Sequence, residues 1–209
     1  TKNNILRNKH GDEPYKDASL FICQALNNYD LSNKKVAIIG STSPWVEAIV
    51  INHGCTDITT IEYNKPESNH PYIKTIEYDE INKLVSTNSI EENEKFDFVI
   101  TYSSIEHSGL GRYGDPLNPN ADIETMDLIY KLLNSDGILL WGAPVGGNDV
   151  VTWNAHRVYG KIRLAIIFKK FKVLEWFGLK KEVLNINKTV RSGFGQPVIL
   201  CSKINQIDS

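Results

Sequence analysis

The chain has 209 residues, 41% of them hydrophobic, which allows one well-packed core and leaves no room for a second full domain. Its 23 Lys and Arg residues against 25 Asp and Glu residues give a formal net charge of −2 without a dense basic run, which argues against a nucleic-acid partner. The cysteines Cys23, Cys55 and Cys201 lack CxxC spacing, and no apolar run reaches signal-peptide or membrane-span length, so we expect a cytoplasmic protein without structural zinc.

The first half of the chain alternates helical spacing with short β-branched runs. A helix over residues 17–26 precedes KVAIIG, an apolar run that a glycine ends, as is typical of a buried parallel strand. The predicted elements that follow are a helix over 45–53, a strand over 57–62, a weaker strand over 72–78 and a helical stretch over 81–85.

The second half continues the alternation and then changes. After a polar loop over 86–95, the predicted elements are strands over 96–101 and 137–143 around a helix over 123–133, a helix over 158–168, and strands over 171–177 and 197–202. Alternating strands and helices predict a doubly wound, mostly parallel α/β sheet, and two late strands joined without an obvious helix should pair antiparallel. We expect one domain over 1–209, with a helical lead-in (1–34), a cofactor-binding core (35–145) and an acceptor-side segment (146–209).

The turn after the first strand and the acid at the end of the second are typical of a nucleoside site. The turn brings backbone N–H groups to the ligand, and the acid accepts hydrogen bonds from ribose hydroxyls. Glu62 follows Gly40 by 22 positions, near the spacing of about 20 expected for that acid. Neither GxGxxG nor a P-loop is present, so a ligand without phosphates fits best. The predicted cofactor contacts are Gly40, Ser41, Thr42, Glu62, Tyr63, Tyr102 and Ser103.

Three motifs in residues 35–145 resemble those of class I S-adenosylmethionine-dependent methyltransferases: VAIIGSTSPWVEA, ITTIEYN and FDFVITYSSIEH. The resemblance implies a Rossmann-like, seven-stranded, mostly parallel sheet with an antiparallel last strand, helices on both faces, and S-adenosylmethionine as cofactor. The family's Gly-x-Gly-x-Gly reads Gly40-x-Thr42-x-Pro44 here, so two of its glycines are replaced.

A second resemblance spans nearly the whole chain. Residues 104–117 (SIEHSGLGRYGDPL) are similar to the hallmark of an uncharacterised methyltransferase-like family, domain of unknown function 268. Two further stretches also look like that family. The first is Thr42 with Pro44 to Glu47, and the second is Asn154 to Arg157 with Tyr159 and Gly160. The resemblance implies a methyltransferase-like fold and a bacterial surface-polysaccharide setting.

The loop after the fourth strand carries the candidate chemistry. Methyl transfer to a hydroxyl needs a base, and His107 follows that strand at the ligand edge of the sheet. We expect Asp115 to orient His107 and His156 to be a second possible base. The predicted acceptor contacts are Glu106, the two anion-binding arginines Arg112 and Arg157, and the aromatic residues Tyr113 and Trp153. The leading hypothesis is O-methylation of a sugar or another small polar acceptor.

Two alternatives stay open. The replaced glycines at Thr42 and Pro44 suggest a binding domain that kept the fold without catalysis. His107, Asp115 and His156 are also ligand types that could hold a divalent ion in a metal-dependent hydrolase, although no spacing motif supports one.

Overall fold

The short apolar runs become the strands of one twisted sheet. The computed structural model describes residues 17–64, 66–186 and 195–205, so residues 1–16 of the predicted lead-in lie outside the described residues. The helices are α1 (Ala18–Leu26), α2 (Trp45–Asn52), α3 (Tyr78–Ser86), α4 (Ala121–Leu132) and α5 (Lys161–Ile167). The strands are β1 (Lys35–Ile39), β2 (Asp57–Glu62), β3 (Ile73–Glu77), β4 (Phe96–Tyr102), β5 (Leu133–Gly142), β6 (Val150–Thr152), β7 (His156–Val158), β8 (Phe171–Phe177) and β9 (Val198–Lys203).

The order of the strands confirms the predicted fold class. Within the described residues, a seven-stranded sheet has the order β3-β2-β1-β4-β5-β9-β8. The pairs from β3 through β5 are parallel, whereas β9 is antiparallel to both of its neighbours, β5 and β8. The chain order reverses around β1 and β4, and in open α/β sheets ligands bind at the carboxyl ends of the strands at such a point.

Helices cover both faces because successive strand residues point to opposite sides. Along β1, Val36 and Ile38 pack into the core cluster that includes residues of α1 and α2. Ala37 and Ile39 pack into the second cluster, which includes residues of α3, α4 and α5. Burial on both sides explains why β1 is a continuous apolar run. None of the helices in the described part of the chain has the length and apolar character that crossing a bilayer requires.

The predicted helix over residues 158–168 is wrong in its first part. Val158 ends β7, which pairs antiparallel with β6 as a hairpin, and α5 begins only at Lys161. The Asp149 carboxylate accepts hydrogen bonds from the backbone N–H groups of Gly160 at 2.7 Å, Ile162 at 3.1 Å and Arg163 at 3.0 Å. It therefore satisfies the N–H groups that the first turn of α5 leaves unpaired. Three-residue strands are too short for apolar periodicity to reveal.

Candidate active site

A cavity of about 330 Å³ lies at the carboxyl ends of β1, β2 and β4. Its walls come from the turn after β1, the end of β2 and the long loop after β4. The lining residues are Gly40, Ser41, Thr42, Ser43, Trp45, Glu62, Tyr63, Asn64, Tyr102, Ser103, Ser104, His107, Ser108, Tyr113 and Asp115. The structure thus brings the predicted cofactor contacts together in one cavity, along with His107, Tyr113 and Asp115.

Gly40 allows β1 to turn directly against the loop after β4. Its φ is +78°, and a Cβ at this position would overlap the side chain of Ser104. Its N–H donates to Ile61 O at 3.0 Å, which ties the turn to β2. A residue with a side chain at this position would therefore have a strained backbone and would collide with Ser104.

A buried acid that the sequence prediction missed braces the rest of this turn. Glu47 is 1% exposed. Its carboxylate lies 2.9 Å from Ser41 Oγ and accepts a hydrogen bond of 2.7 Å from Thr60 Oγ1. Ser41 Oγ also lies 2.9 Å from Ser43 O. These contacts hold a turn that contains Thr42 and Pro44 where the related motif has glycines. An acid within the otherwise apolar α2 sequence was the signal that could have revealed this bracing residue.

Glu62 ends β2 with its carboxyl group at the cavity. Burial raises the pKa of Glu62, and the hydrogen bond from the Tyr63 N–H to Glu62 Oε1, 2.8 Å long, partly opposes that rise. The Tyr63 ring continues the wall and lies 4.6 Å from the Tyr78 ring, centroid to centroid. A carboxylate followed by an aromatic ring suits a ligand with hydroxyl groups next to a flat ring.

The end of β4 forms the opposite wall in a strained backbone conformation. Ser103 has φ +53°, which is unusual for a residue other than glycine, and its N–H donates to Gly142 O at 2.8 Å. The Tyr102 ring packs edge-on against Trp45, with a centroid distance of 5.8 Å. Such strain persists only where surrounding contacts enforce it, and it is enriched at functional sites.

His107 lies on a short 3₁₀ turn, Ile105–His107, at the cavity wall. Its Nδ1 lies 2.5 Å from Ala155 O on the β6–β7 hairpin, and because a carbonyl only accepts, Nδ1 carries the hydrogen. Burial lowers the pKa of His107; the Ala155 carbonyl opposes this, while the charges of Arg112, His156 and Arg157 add to it. A neutral ring at pH 7 therefore keeps its unprotonated nitrogen at Nε2.

Glu106 is a buried acid next to the Nε2 edge of the His107 ring. It is 1% exposed, and its Oε1 lies 3.6 Å from His107 Nε2. Its Oε2 has no hydrogen-bond partner among the described residues. Burial raises the pKa of Glu106 to about 7, against hydrogen bonds from the Ser103 side chain and nearby backbone groups and the charge of Arg157. This placement favours an electrostatic role beside His107 over the predicted contact with an acceptor.

Asp115 organises the loop in which it lies. Its Oδ2 accepts hydrogen bonds from the N–H groups of Gly109 at 2.6 Å and Gly111 at 3.3 Å, and its Oδ1 accepts one from Tyr113 N–H at 3.2 Å. Burial alone would raise the pKa of Asp115, but these backbone donors lower it overall. The carboxylate faces its own loop's amides, which favours loop shaping over the predicted orientation of His107.

Arg157 holds that loop against the hairpin from inside the protein. It is 4% exposed, donates to Ser108 O at 2.5 Å and Glu106 O at 3.3 Å, and lies 3.6 Å from the buried carboxylate of Asp122. Asp122 also pairs with Arg163 on α5. The buried contacts favour a structural role for Arg157 over the predicted grip on an acceptor.

The remaining predicted residues lie at the rim. Arg112 Nη1 donates to Ala155 O at 3.3 Å, and its guanidinium carbon lies 5.4 Å from the centroid of the Tyr113 ring. The His156 ring is 6.1 Å from that of His107, whereas Trp153 projects from the hairpin and is 91% exposed. Arg112 and His156 therefore border His107, outside the cavity itself.

The structure gives no support to the metal alternative. Across the described residues, no group of three or more His, Cys, Asp or Glu side chains is arranged to hold a metal ion. Asp115 is hydrogen-bonded to backbone amides, and His107 Nδ1 to a carbonyl.

The solved structures that resemble the chain share its fold at low identity. A Burkholderia thailandensis 1,6-didemethyltoxoflavin-N1-methyltransferase with bound S-adenosylhomocysteine has a TM-score of 0.63 and 13% identity, over 98% of this chain and 87% of that one. The N-methyltransferase NodS from Bradyrhizobium japonicum WM9, in complex with S-adenosylhomocysteine, has a TM-score of 0.56 and 12% identity, and the alignment covers 98% of both chains. The [4+2]-cyclase SpnF has a TM-score of 0.59 and 11% identity, and the alignment covers 93% of this chain and 85% of that one. Since one of these proteins is a cyclase, the likeness establishes the fold alone.

The family resemblance predicted from residues 104–117 is confirmed. No curated protein matches the sequence. A family model does match residues 33–192, which is most of the chain and includes the cavity, the loop after β4 and the β6–β7 hairpin. The chain therefore belongs to the family described as Caenorhabditis protein of unknown function, DUF268.

Proposed function

We propose that the protein is an S-adenosylmethionine-dependent methyltransferase that binds this cofactor in the cavity at the ends of β1, β2 and β4. The observation that carries the proposal is the convergence of the Gly40 turn, Glu62 and the end of β4 on one space of about 330 Å³. That volume lies within the range of about 300–1,000 Å³ typical of small-molecule sites. Gly40 lets the Ser104 side chain pack directly against the turn, where a Cβ would overlap it.

The residues present fit a nucleoside. The Glu62 carboxylate would accept hydrogen bonds from the ribose hydroxyls, and Tyr63 would cover one face of the base. The backbone of the turn from Gly40 to Ser43 would contact the rest of the cofactor. When bound, S-adenosylmethionine supplies an electrophilic methyl group on a sulfonium.

His107 is the proposed general base. Ala155 O fixes the hydrogen on Nδ1, so Nε2 would be the nitrogen that takes the proton of an acceptor hydroxyl. Burial favours the neutral, proton-accepting ring. Tyr113, whose ring lies edge-on to His107 at 5.7 Å, offers an exposed face for a sugar. The proposed reaction is O-methylation of a sugar or another small polar acceptor.

A non-catalytic binding domain is the second candidate, and Thr42 and Pro44 are the observation that favours it. The bracing of the turn by Glu47 supports a formed cofactor site despite these residues. The two candidates differ in whether bound cofactor is used for methyl transfer. Only a methyltransferase would lose turnover when His107 is replaced.

Replacing Glu62 with alanine should weaken binding of S-adenosylhomocysteine by about 10- to 100-fold. Hydrogen bonds to a charged group contribute about 1.5–3 kcal/mol, and each 1.4 kcal/mol is tenfold in affinity. Isothermal titration calorimetry of both proteins at one pH measures the difference.

Glu67→Ala is the matched control, because Glu67 is an exposed acid on the loop after β2 and does not line the cavity. This variant should bind as the wild type does. If the wild type releases no heat with S-adenosylhomocysteine, or if the Glu62 variant binds as tightly as the wild type, the proposed cofactor site is wrong.

A further inference from the structure

Two side chains that can carry positive charge contact one carbonyl at the rim of the cavity, and a third lies next to them. Ala155 O accepts hydrogen bonds from His107 Nδ1 at 2.5 Å and from Arg112 Nη1 at 3.3 Å. His156 follows Ala155 in the chain, and its ring stands edge-on to that of His107 at 6.1 Å. The β6–β7 hairpin thus holds the Arg112 guanidinium through Ala155 O and places the His156 imidazole beside the proposed base.

The guanidinium of Arg112 keeps hydrogen-bonding capacity for a ligand. A guanidinium has five N–H donors, and Ala155 O accepts from Nη1. Arg112 forms no ion pair with a carboxylate within the part of the chain that the structure describes. Contact with the Tyr113 ring, 5.4 Å from the guanidinium carbon, restrains the side chain.

The nearby acids do not neutralise this charge at the rim. Glu106 is buried, and the Asp115 carboxylate is hydrogen-bonded to the backbone of its own loop. Burial lowers the pKa of His156, and the charge of Arg112 lowers it further. Burial likewise lowers the pKa of His107, with Arg112 adding to the effect of His156 and Arg157. An anion bound at this point would offset the positive charge that both rings face.

We propose that the methyl acceptor is an acidic sugar whose carboxylate or phosphate is held by the exposed guanidinium of Arg112, next to the His107 and His156 rings. This assignment rests on the proposed function, since it concerns the acceptor of that reaction. Arg112 presents a planar fork that matches either anion. A sugar ring bound through this group would lie over Tyr113, with its hydroxyls towards His107.

The test follows the ring Cε1–H signals of His107 and His156 by NMR during titration with glucuronate, glucose 1-phosphate and neutral glucose. We expect saturable shifts with one or both anionic sugars, which tells a carboxylate acceptor from a phosphate acceptor. Both histidines should titrate at higher pH when the anion is bound. Glucose should bind at least tenfold more weakly than the better anionic sugar, because it lacks about one charge-assisted hydrogen-bonded pair.

Arg112→Gln should weaken binding of the anionic sugar about tenfold, whereas Arg112→Lys should retain part of it. Lys83→Gln on α3, which removes an exposed charge away from the rim, should change nothing. Equal binding of glucose and the anionic sugars, or unaltered binding in Arg112→Gln, would overturn the proposal. Affinity for S-adenosylhomocysteine, measured on the same proteins, reports the proposed function separately, because the sugar titrations need no cofactor.

Discussion

Replacing His107 with glutamine should lower methyl transfer by about 100- to 10,000-fold, the range that a positioned general base contributes. Glutamine can still donate a hydrogen bond to Ala155 O, but it cannot take a proton at neutral pH. The affinity for S-adenosylhomocysteine should change little, because His107 would act on the acceptor. The measurement is transfer of a labelled methyl group from S-adenosylmethionine into a fraction of polar small molecules and glycans that the wild type methylates.

His53→Gln is the control for this experiment. His53 follows the last residue of α2, at the far end of that helix from the cavity, so its replacement should leave transfer at the wild-type level. Wild-type turnover in His107→Gln would remove His107 as the base. A loss of cofactor binding in the same variant would instead give His107 a role in holding the cofactor.

Replacing Glu106 with glutamine should stabilise the protein by about 3 kcal/mol at pH 8 and by much less at pH 5. Burial raises the pKa of Glu106 from an ordinary 4.5 to about 7. The folded protein therefore binds this proton more tightly than the unfolded chain does. Its contribution to stability is complete below pH 4.5 and is lost as the pH rises through 7. Glutamine has the same shape and no proton to lose.

Urea unfolding at pH 5, 6, 7 and 8 measures this effect as the difference between the two proteins. Burial lowers the pKa of His107 and of His156, so their contributions run in the opposite direction and are lost as the pH falls. They are present in both proteins and largely cancel in the difference. Glu80→Gln, an exposed acid on α3, should follow the wild-type curve. A constant difference between wild type and Glu106→Gln over this range would show that Glu106 does not titrate as described.

A buried acid that destabilises the protein at neutral pH is more readily understood as functional than as structural. Glu106 Oε1 lies 3.6 Å from His107 Nε2, the nitrogen that would receive the acceptor proton. An ionised Glu106 would stabilise the protonated ring once it has formed. The pH dependence of transfer would therefore report the ionisation of Glu106 as well as that of His107.

The fold could be predicted because its signals are local. The β1 run KVAIIG is apolar at every position except its first and last residues, as burial on both faces requires, and helical spacing marked α1, α2 and α4. The hairpin over residues 150–158 could not be predicted in this way, because its strands have three residues each and the start of α5 depends on a carboxylate 11 residues before Gly160.

The sequence could predict the cavity residues because of the topology of the sheet. Parallel strands end at the same edge of the sheet, so Gly40, Glu62 and Ser103 had to lie near one another once the strand order was right. The roles of the residues in the loop after β4 could not be predicted from the sequence. Arg157 contacts carbonyls about 50 residues earlier in the chain, and nothing in its local sequence tells a buried clamp from an exposed ligand contact.

The most direct test of the central claim is a crystal structure of the protein with S-adenosylhomocysteine at saturating concentration. We predict that the ribose hydroxyls lie within hydrogen-bond distance of the Glu62 carboxylate, next to the Gly40 turn, and that the sulfur faces His107. A ligand bound elsewhere, or one in the cavity whose ribose does not contact Glu62, would contradict the proposed cofactor site.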